Sequence, residues 1–261
     1  MSESAWGEEN AGRGAAVADA AEDLLPRGDD RPGVAPRTRP APAPLYSVSL
    51  KLEGRLAVVV GGGPIALRKA TELLHAGARV WAIAPEWPAD FSGLEGDPDK
   101  GSRLLRVTRR FTAGDLVGAF LVVAATDDVS VQRAVARAAE SQGVLCNVVD
   151  VNDLCSFYVP ATLRRGSLQI AVQTDGRFPL LAVALRDRLA RIVGPSFAEA
   201  LDRLAAARAV VRERFPAAGD LDRRTEALRR LLPEEALDLL LDGRLEEFEA
   251  RVESWRRDFA S

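Results

Sequence analysis

The residues best placed to do chemistry stand in one run, Gly61-Gly62-Gly63-Pro64-Ile65-Ala66, which matches the pattern G-x-G-x-x-G/A. Gly61 permits a tight turn, Gly63 lets the backbone approach a pyrophosphate, and Ala66 keeps the following helix close to its strand. The start of that helix offers unpaired N–H groups and a partial positive charge to the phosphates. A second requirement is an acidic residue near the end of the next strand, where it takes the adenosine ribose hydroxyls. Glu86, directly after Pro85, is that candidate; a carboxylate there repels a 2′-phosphate and favours NAD over NADP. The alternative for Glu86 is an ordinary loop acid, and for the run itself a glycine turn in a nucleotide-free domain.

Other reactive side chains are few. The lone His75 excludes a His-rich metal site and any catalytic plan that needs two imidazoles. Its place beside Gly77 reads as a helix C-terminal residue favourable to the dipole. Cys146 and Cys155, nine residues apart with no histidine near, fall short of a zinc site, so no metal centre is expected. Two cysteines cannot make a disulfide framework and fit a reducing, cytoplasmic compartment.

These residues require elements that position them. Residues 56–60 are a continuous apolar, β-branched run, the mark of a strand buried on both faces, and the glycines follow at once. A helix is expected over 65–76, with Gly77 at its end. Strands are expected over 79–84, 104–107, 120–125 and 144–149, with an Ala-rich helix over 129–141. Strand and helix alternating on short turns predict an α/β fold, a Rossmann-type parallel sheet covered by helices.

After Asp150 the rhythm changes. Strands are expected over 157–159 and 168–173 around the turn Arg164-Arg165-Gly166, then an amphipathic helix over 180–192. From Ser196 onward the chain reads as helices over 197–215, 221–232, 234–241 and 244–259, with a Ser196–Glu199 capping box at the first. The expected organisation is a disordered tail over 1–44 with a weak helix at 15–25, a dinucleotide-binding domain over 45–155, a small α+β segment over 156–194, and a helical domain over 195–261.

Composition bounds the partners. The chain of 261 residues has 35 basic and 38 acidic side chains, a net charge of −3, which argues against a nucleic-acid or membrane-surface binder. Hydrophobic residues at 47% exclude disorder of the whole chain, and no apolar stretch is long enough to span a membrane.

The stretch Val59-Val60-Gly61-Gly62-Gly63-Pro64-Ile65-Ala66-Leu67-Arg68-Lys69-Ala70 resembles the opening of a siroheme-synthase dehydrogenase domain. Further marks follow in order: Ala124-Ala125-Thr126-Asp127-Asp128, Cys146-Asn147-Val148-Val149-Asp150, Ser156-Phe157-Tyr158-Val159-Pro160-Ala161 and Gln173-Thr174-Asp175-Gly176-Arg177-Phe178-Pro179. The resemblance covers about residues 45–215. One departure is clear: Asp175 stands where the family has a glycine.

The resemblance implies NAD-dependent oxidation of precorrin-2 to sirohydrochlorin in a homodimer, with Fe²⁺ insertion found in some relatives and not in others. It implies Asp150 as the catalytic base, at the end of a strand where open α/β sheets place ligands. Gly61, Gly62, Gly63, Pro64, Ile65, Pro85, Glu86, Thr126 and Asp127 would bind the cofactor, and Asn147, Ser156, Thr174 and Arg177 the substrate. Thr126 and Asp127 read equally as a helix N-cap, Asn147 as a residue that orients its loop, and Ser156 as a turn residue. A substrate with eight carboxylates needs cationic neighbours, and Arg164, Arg165, Arg177 and Arg186 are the candidates. A non-catalytic, NAD-binding regulatory module is the competing function.

Overall fold

The computed structural model describes residues 44–260. The expected disordered tail and the weak helix at 15–25 lie outside the described residues. The first strand, β1 (Leu56–Val60), pairs in parallel with β2 (Arg79–Ala84) on one side and β4 (Leu121–Ala124) on the other. β3 (Leu104–Thr108) and β5 (Leu145–Val148) complete an all-parallel sheet of order β3-β2-β1-β4-β5. Helix α1 (Pro64–His75) follows β1 and α2 (Val129–Gln142) follows β4.

The side-chain alternation of a strand sorts the core into two layers. Ala57, Val59, Val80, Ala82, Leu121 and Val123 pack with Ala66, Ala70 and Leu74 of α1. The intervening Val58, Val60, Ile83, Val122 and Ala124 pack with Val135 and Ala139 of α2. Both faces are therefore covered, which is why these strands read as unbroken apolar runs. Strand order reverses at β1, so the crevice between the C-terminal ends of β1 and β4 is the topological switch point where such sheets bind ligands.

An ion pair between a buried carboxylate and a half-exposed arginine braces the β3–β4 connection. Asp115 is almost fully buried and takes the Arg109 guanidinium in a bidentate grip at 2.5 and 2.8 Å, while the Thr112 N–H donates to the same carboxylate at 2.8 Å. The Arg109 hydrogen bond holds the Asp115 carboxyl below its usual range, against the opposing effect of burial. A depressed folded-state value stabilises the protein above the unfolded value near 3.8, and that contribution is lost as pH falls through the folded value. Asp115→Asn is expected to cost about 1–3 kcal/mol at neutral pH, read by urea unfolding. The gap from wild type should be constant above pH ~5 and close below pH ~4; a gap that persists in acid would show that the charge is not the cause.

Beyond β5 the antiparallel hairpin β6 (Ala161–Arg165) and β7 (Leu168–Val172) packs against α3 (Pro179–Ile192). Four helices follow: α4 (Ser196–Arg214), α5 (Leu221–Leu231), α6 (Glu234–Leu241) and α7 (Leu245–Ala260). They close on a core of their own, with Ala200, Ala207, Leu231, Leu240 and Phe248 among its buried residues.

Two local expectations are corrected. No strand forms over 157–159; the first hairpin strand begins at Ala161. Pro160 has no N–H for a ladder, and the Phe157 carbonyl is already taken by the Asn147 side chain at 3.1 Å. The turn is accordingly Gly166-Ser167, with Arg165 paired to Leu168. The Ser196–Glu199 capping box is also absent. Pro195 is already helical, so α4 starts one residue early and Ser196 falls inside its first turn.

Candidate active site

The glycine turn leaves β1 at the switch point. Gly61 has φ +133 and donates its N–H to the Ile83 carbonyl at 2.9 Å. A Cβ on Gly61 would lie 2.0 Å from the Ala125 carbonyl oxygen, and one on Gly62 2.3 Å from that of Glu86. These two glycines are thus demanded by packing between β1 and its neighbours. Gly63 is different: a Cβ there would meet nothing within 4 Å. It is the N-cap of α1, no side chain caps the helix, and Pro64 occupies the first turn. The open space and the uncapped helix start fit a dinucleotide pyrophosphate. Ile65 is partly exposed beside them, and Ala66 is fully buried against the sheet.

The neighbouring strand ends carry the other cofactor candidates. Pro85 and Glu86 are exposed at the end of β2, with the Glu86 main chain against Gly62. The cap of α2 is Asp128, which accepts from the N–H groups of Ser130 and Val131 at 2.8 and 3.3 Å. That corrects the reading of Thr126 and Asp127 as the N-cap. The Thr126 hydroxyl accepts from the Asp128 N–H at 3.3 Å, and Asp127 is exposed at the edge of the crevice.

The end of β5 is held by side chains that replace a missing neighbour strand. The Ser156 hydroxyl accepts from the Cys146 N–H at 2.7 Å, and the Ser156 N–H donates to the Cys146 carbonyl at 2.8 Å. The Cys155 thiol sits 3.2 Å from the Val148 N–H and 3.3 Å from its carbonyl. Asn147 donates to the Phe157 carbonyl, so it orients this loop. Both cysteines are free, and burial pushes the Cys146 thiol up to about 11. Among the described residues no cluster of His, Cys, Asp and Glu is arranged to hold a metal ion.

The turn after β5 sends Asp150 out at φ +62, an uncommon conformation for a residue with a side chain. Asp150 lines a cavity of about 660 Å³. Asn147 and Val149 also line it, with Thr174 from the loop after β7 and Arg164 and Arg186 from β6 and α3. The loop holding Thr174 packs closely against the Asp150 loop: a Cβ on Gly176 would lie 2.7 Å from the Asn152 amide nitrogen. Asp175, the departure from the family pattern, is itself at φ +52.

The structure therefore brings Asn147, Asp150, Thr174, Arg164 and Arg186 together. It does not bring Ser156 or Arg177 to the cavity wall; Ser156 is spent on the Cys146 backbone and Arg177 is exposed. Arg165 donates to the Ala190 and Val193 carbonyls, where it caps the end of α3. Residues not anticipated on this wall are Arg68, Lys69 and Glu72 of α1, with Asn152, Cys155 and Tyr158. The α1 residues had a signal of position only: they flank the buried stripe Ala66, Ala70 and Leu74. Which edge of the sheet that flank meets depends on the hairpin folding back toward it.

Comparison with known proteins agrees with this geometry. A family model described as putative NAD(P)-binding matches residues 48–161. Siroheme synthase of Pseudomonas paraeruginosa is 38% identical over 202 residues, covering 77% of this chain and 42% of that protein. Siroheme synthase of Methylococcus capsulatus is 41% identical over 203 residues, covering 77% and 41%. The chain thus spans about two fifths of the length of these relatives. A solved structure of SirC, a precorrin-2 dehydrogenase, superposes with a TM-score of 0.61 at 26% identity, covering 80% of this chain and all of that one. The ordered motifs, the dinucleotide fold and these likenesses place the chain in the family of the siroheme synthase N-terminal domain.

Proposed function

We propose that this protein oxidises precorrin-2 to sirohydrochlorin with NAD⁺. The observation that carries the proposal is Asp150 on the wall of a 660 Å³ cavity, on the same sheet edge as the glycine turn. NAD⁺ supplies the hydride acceptor. The chain's own residues do the rest. Gly63 and the start of α1 receive the pyrophosphate, and Glu86 disfavours a 2′-phosphate. Thr126 and Asp127 border the cofactor crevice. Asp150 takes the proton that leaves the tetrapyrrole as the hydride departs. Asn147 holds the Asp150 loop in place, and Thr174, Arg164 and Arg186 contact the substrate.

Residues 45–155 are the cofactor-binding part in this proposal, residues 156–194 the dimerisation and substrate segment, and residues 195–261 the helical domain. A homodimer through the middle segment is supported by its exposed apolar side chains, among them Val159, Phe178, Leu180, Leu181 and Leu185. None of the described helices is long and apolar enough to cross a membrane, and a cytoplasmic location is part of the proposal.

The test is incubation with precorrin-2 and NAD⁺. Sirohydrochlorin absorbance should rise in step with NADH, one for one. NAD⁺ binding with neither product would replace the dehydrogenase by a non-catalytic NAD-binding regulatory module. Iron insertion releases pyrrole protons that the same carboxylate is placed to accept. Adding Fe²⁺ to sirohydrochlorin, against a control without protein, decides whether the ferrochelatase (lyase) activity accompanies the oxidation.

A further inference from the structure

The reading of the cavity as a tetrapyrrole site sets up one further step, which rests on it. We propose that Arg68 and Lys69 of α1 bind carboxylates on the rim of the substrate, so that one helix serves both ligands.

Four cations line the cavity wall, Arg68, Lys69, Arg164 and Arg186, against two carboxylates, Glu72 and Asp150, with Arg186 also paired to Asp187 at 2.7 Å. The cavity is locally positive in a chain whose net charge is −3. Several other arginines are committed to the fold. Arg103 donates to the Leu74 and Ala78 carbonyls, Arg109 grips Asp115, and Arg165 caps α3.

The two α1 cations are held but not consumed. The Lys69 side chain is only 14% exposed, with its ammonium 2.9 Å from Glu72. The Arg68 guanidinium lies 3.9 Å from the same carboxylate. Glu72 remains 48% exposed, and pairs of this spacing on a helix surface contribute only a few tenths of a kcal/mol. A substrate carboxylate can therefore displace Glu72 at small cost, while Glu72 holds the Lys69 ammonium at the cavity beforehand. The anchors are also close to the cofactor cradle. Lys69 is five residues beyond Pro64, about 7.5 Å along the helix axis from the end that receives the pyrophosphate. A rim carboxylate held there fixes the ring edge relative to the cofactor through a single rigid element, while Arg164 and Arg186 engage the rim from β6 and α3.

The test uses uroporphyrin, a stable porphyrin with eight rim carboxylates, titrated into the full chain and followed by its fluorescence. Arg68→Gln and Lys69→Gln should each weaken binding about tenfold, the loss of one charge-assisted hydrogen bond. The double variant should lose more and show a shallower salt dependence, and Lys69→Arg should stay near wild type. NAD⁺ affinity should not change, and KM for precorrin-2 should rise with kcat little altered. A double variant that binds uroporphyrin like wild type, or a wild type that does not bind it, overturns the inference. Porphyrin binding needs no turnover. Charge-dependent binding without NADH formation would retire the dehydrogenase reading and leave the anchors standing.

Discussion

Asp150→Asn is expected to lower turnover of precorrin-2 by about 10²–10⁴, the usual contribution of a positioned proton acceptor, and to leave NAD⁺ affinity unchanged. The choice of asparagine follows from the backbone. Asp150 sits at φ +62, where aspartate and asparagine are tolerated and most other side chains are strained. Alanine at this position removes the carboxylate and also destabilises the turn, so a lost activity in Asp150→Ala has two explanations. Asparagine keeps the shape, the turn and the cavity volume and removes only the ability to take a proton. Asp150→Gly supplies the converse control, because it relieves the backbone and still lacks the base. If Asp150 acts as base, both variants fold with wild-type Tm or better, bind NAD⁺ and turn over precorrin-2 slower by about 10²–10⁴. Retained turnover in Asp150→Asn removes Asp150 from the chemistry and leaves it as a strained turn residue.

The sheet was legible because its strands are buried on both faces. Runs such as residues 56–60 and 120–125 carry no polar interruption, and both fall within a residue of their observed ends. The glycine turn was legible for a related reason: its neighbours on both sides are regular elements, so local spacing is enough. What local spacing does not contain is long-range side-chain hydrogen bonding. Ser156 and Cys155 bond the free edge of β5, and Asn147 takes the Phe157 carbonyl. Those bonds displaced the expected strand at 157–159 and drew Ser156 away from the cavity. Arg68 and Lys69 were hidden in another way. They stand beside the most readable motif in the chain, but their approach to the cavity depends on a hairpin about a hundred residues later. A residue's helix face is encoded locally, whereas the partner that face meets is a property of the whole topology.

The glycine turn gives the second large effect, and there packing and ligand binding separate cleanly. Gly61→Ala places a methyl group 2.0 Å from the Ala125 carbonyl oxygen and 2.7 Å from its carbon, at a φ of +133 that alanine disfavours. The obstruction is backbone and cannot rotate away. Relief requires β1 and β4 to part by more than 1 Å, roughly, to regain an ordinary contact, and these strands are joined there by the Ala125 N–H to Val60 carbonyl bond at 2.8 Å. Overpacking and backbone strain each cost about 1–3 kcal/mol, a large part of the roughly 5–15 kcal/mol that holds a typical domain together. Gly61→Ala should therefore fall far in Tm or fail to accumulate as folded protein. Gly63→Ala, two residues on, should behave oppositely. Its φ of −79 is ordinary and a Cβ meets nothing within 4 Å, so Tm should stay near wild type. The methyl group enters the space at the helix start, and NAD⁺ affinity should drop about tenfold or more, since the pyrophosphate depends on close backbone approach there. A Gly63→Ala protein that binds NAD⁺ like wild type would move the pyrophosphate away from this turn. A stable Gly61→Ala protein would show that β1 and β4 can separate without loss, against the contact geometry of the sheet.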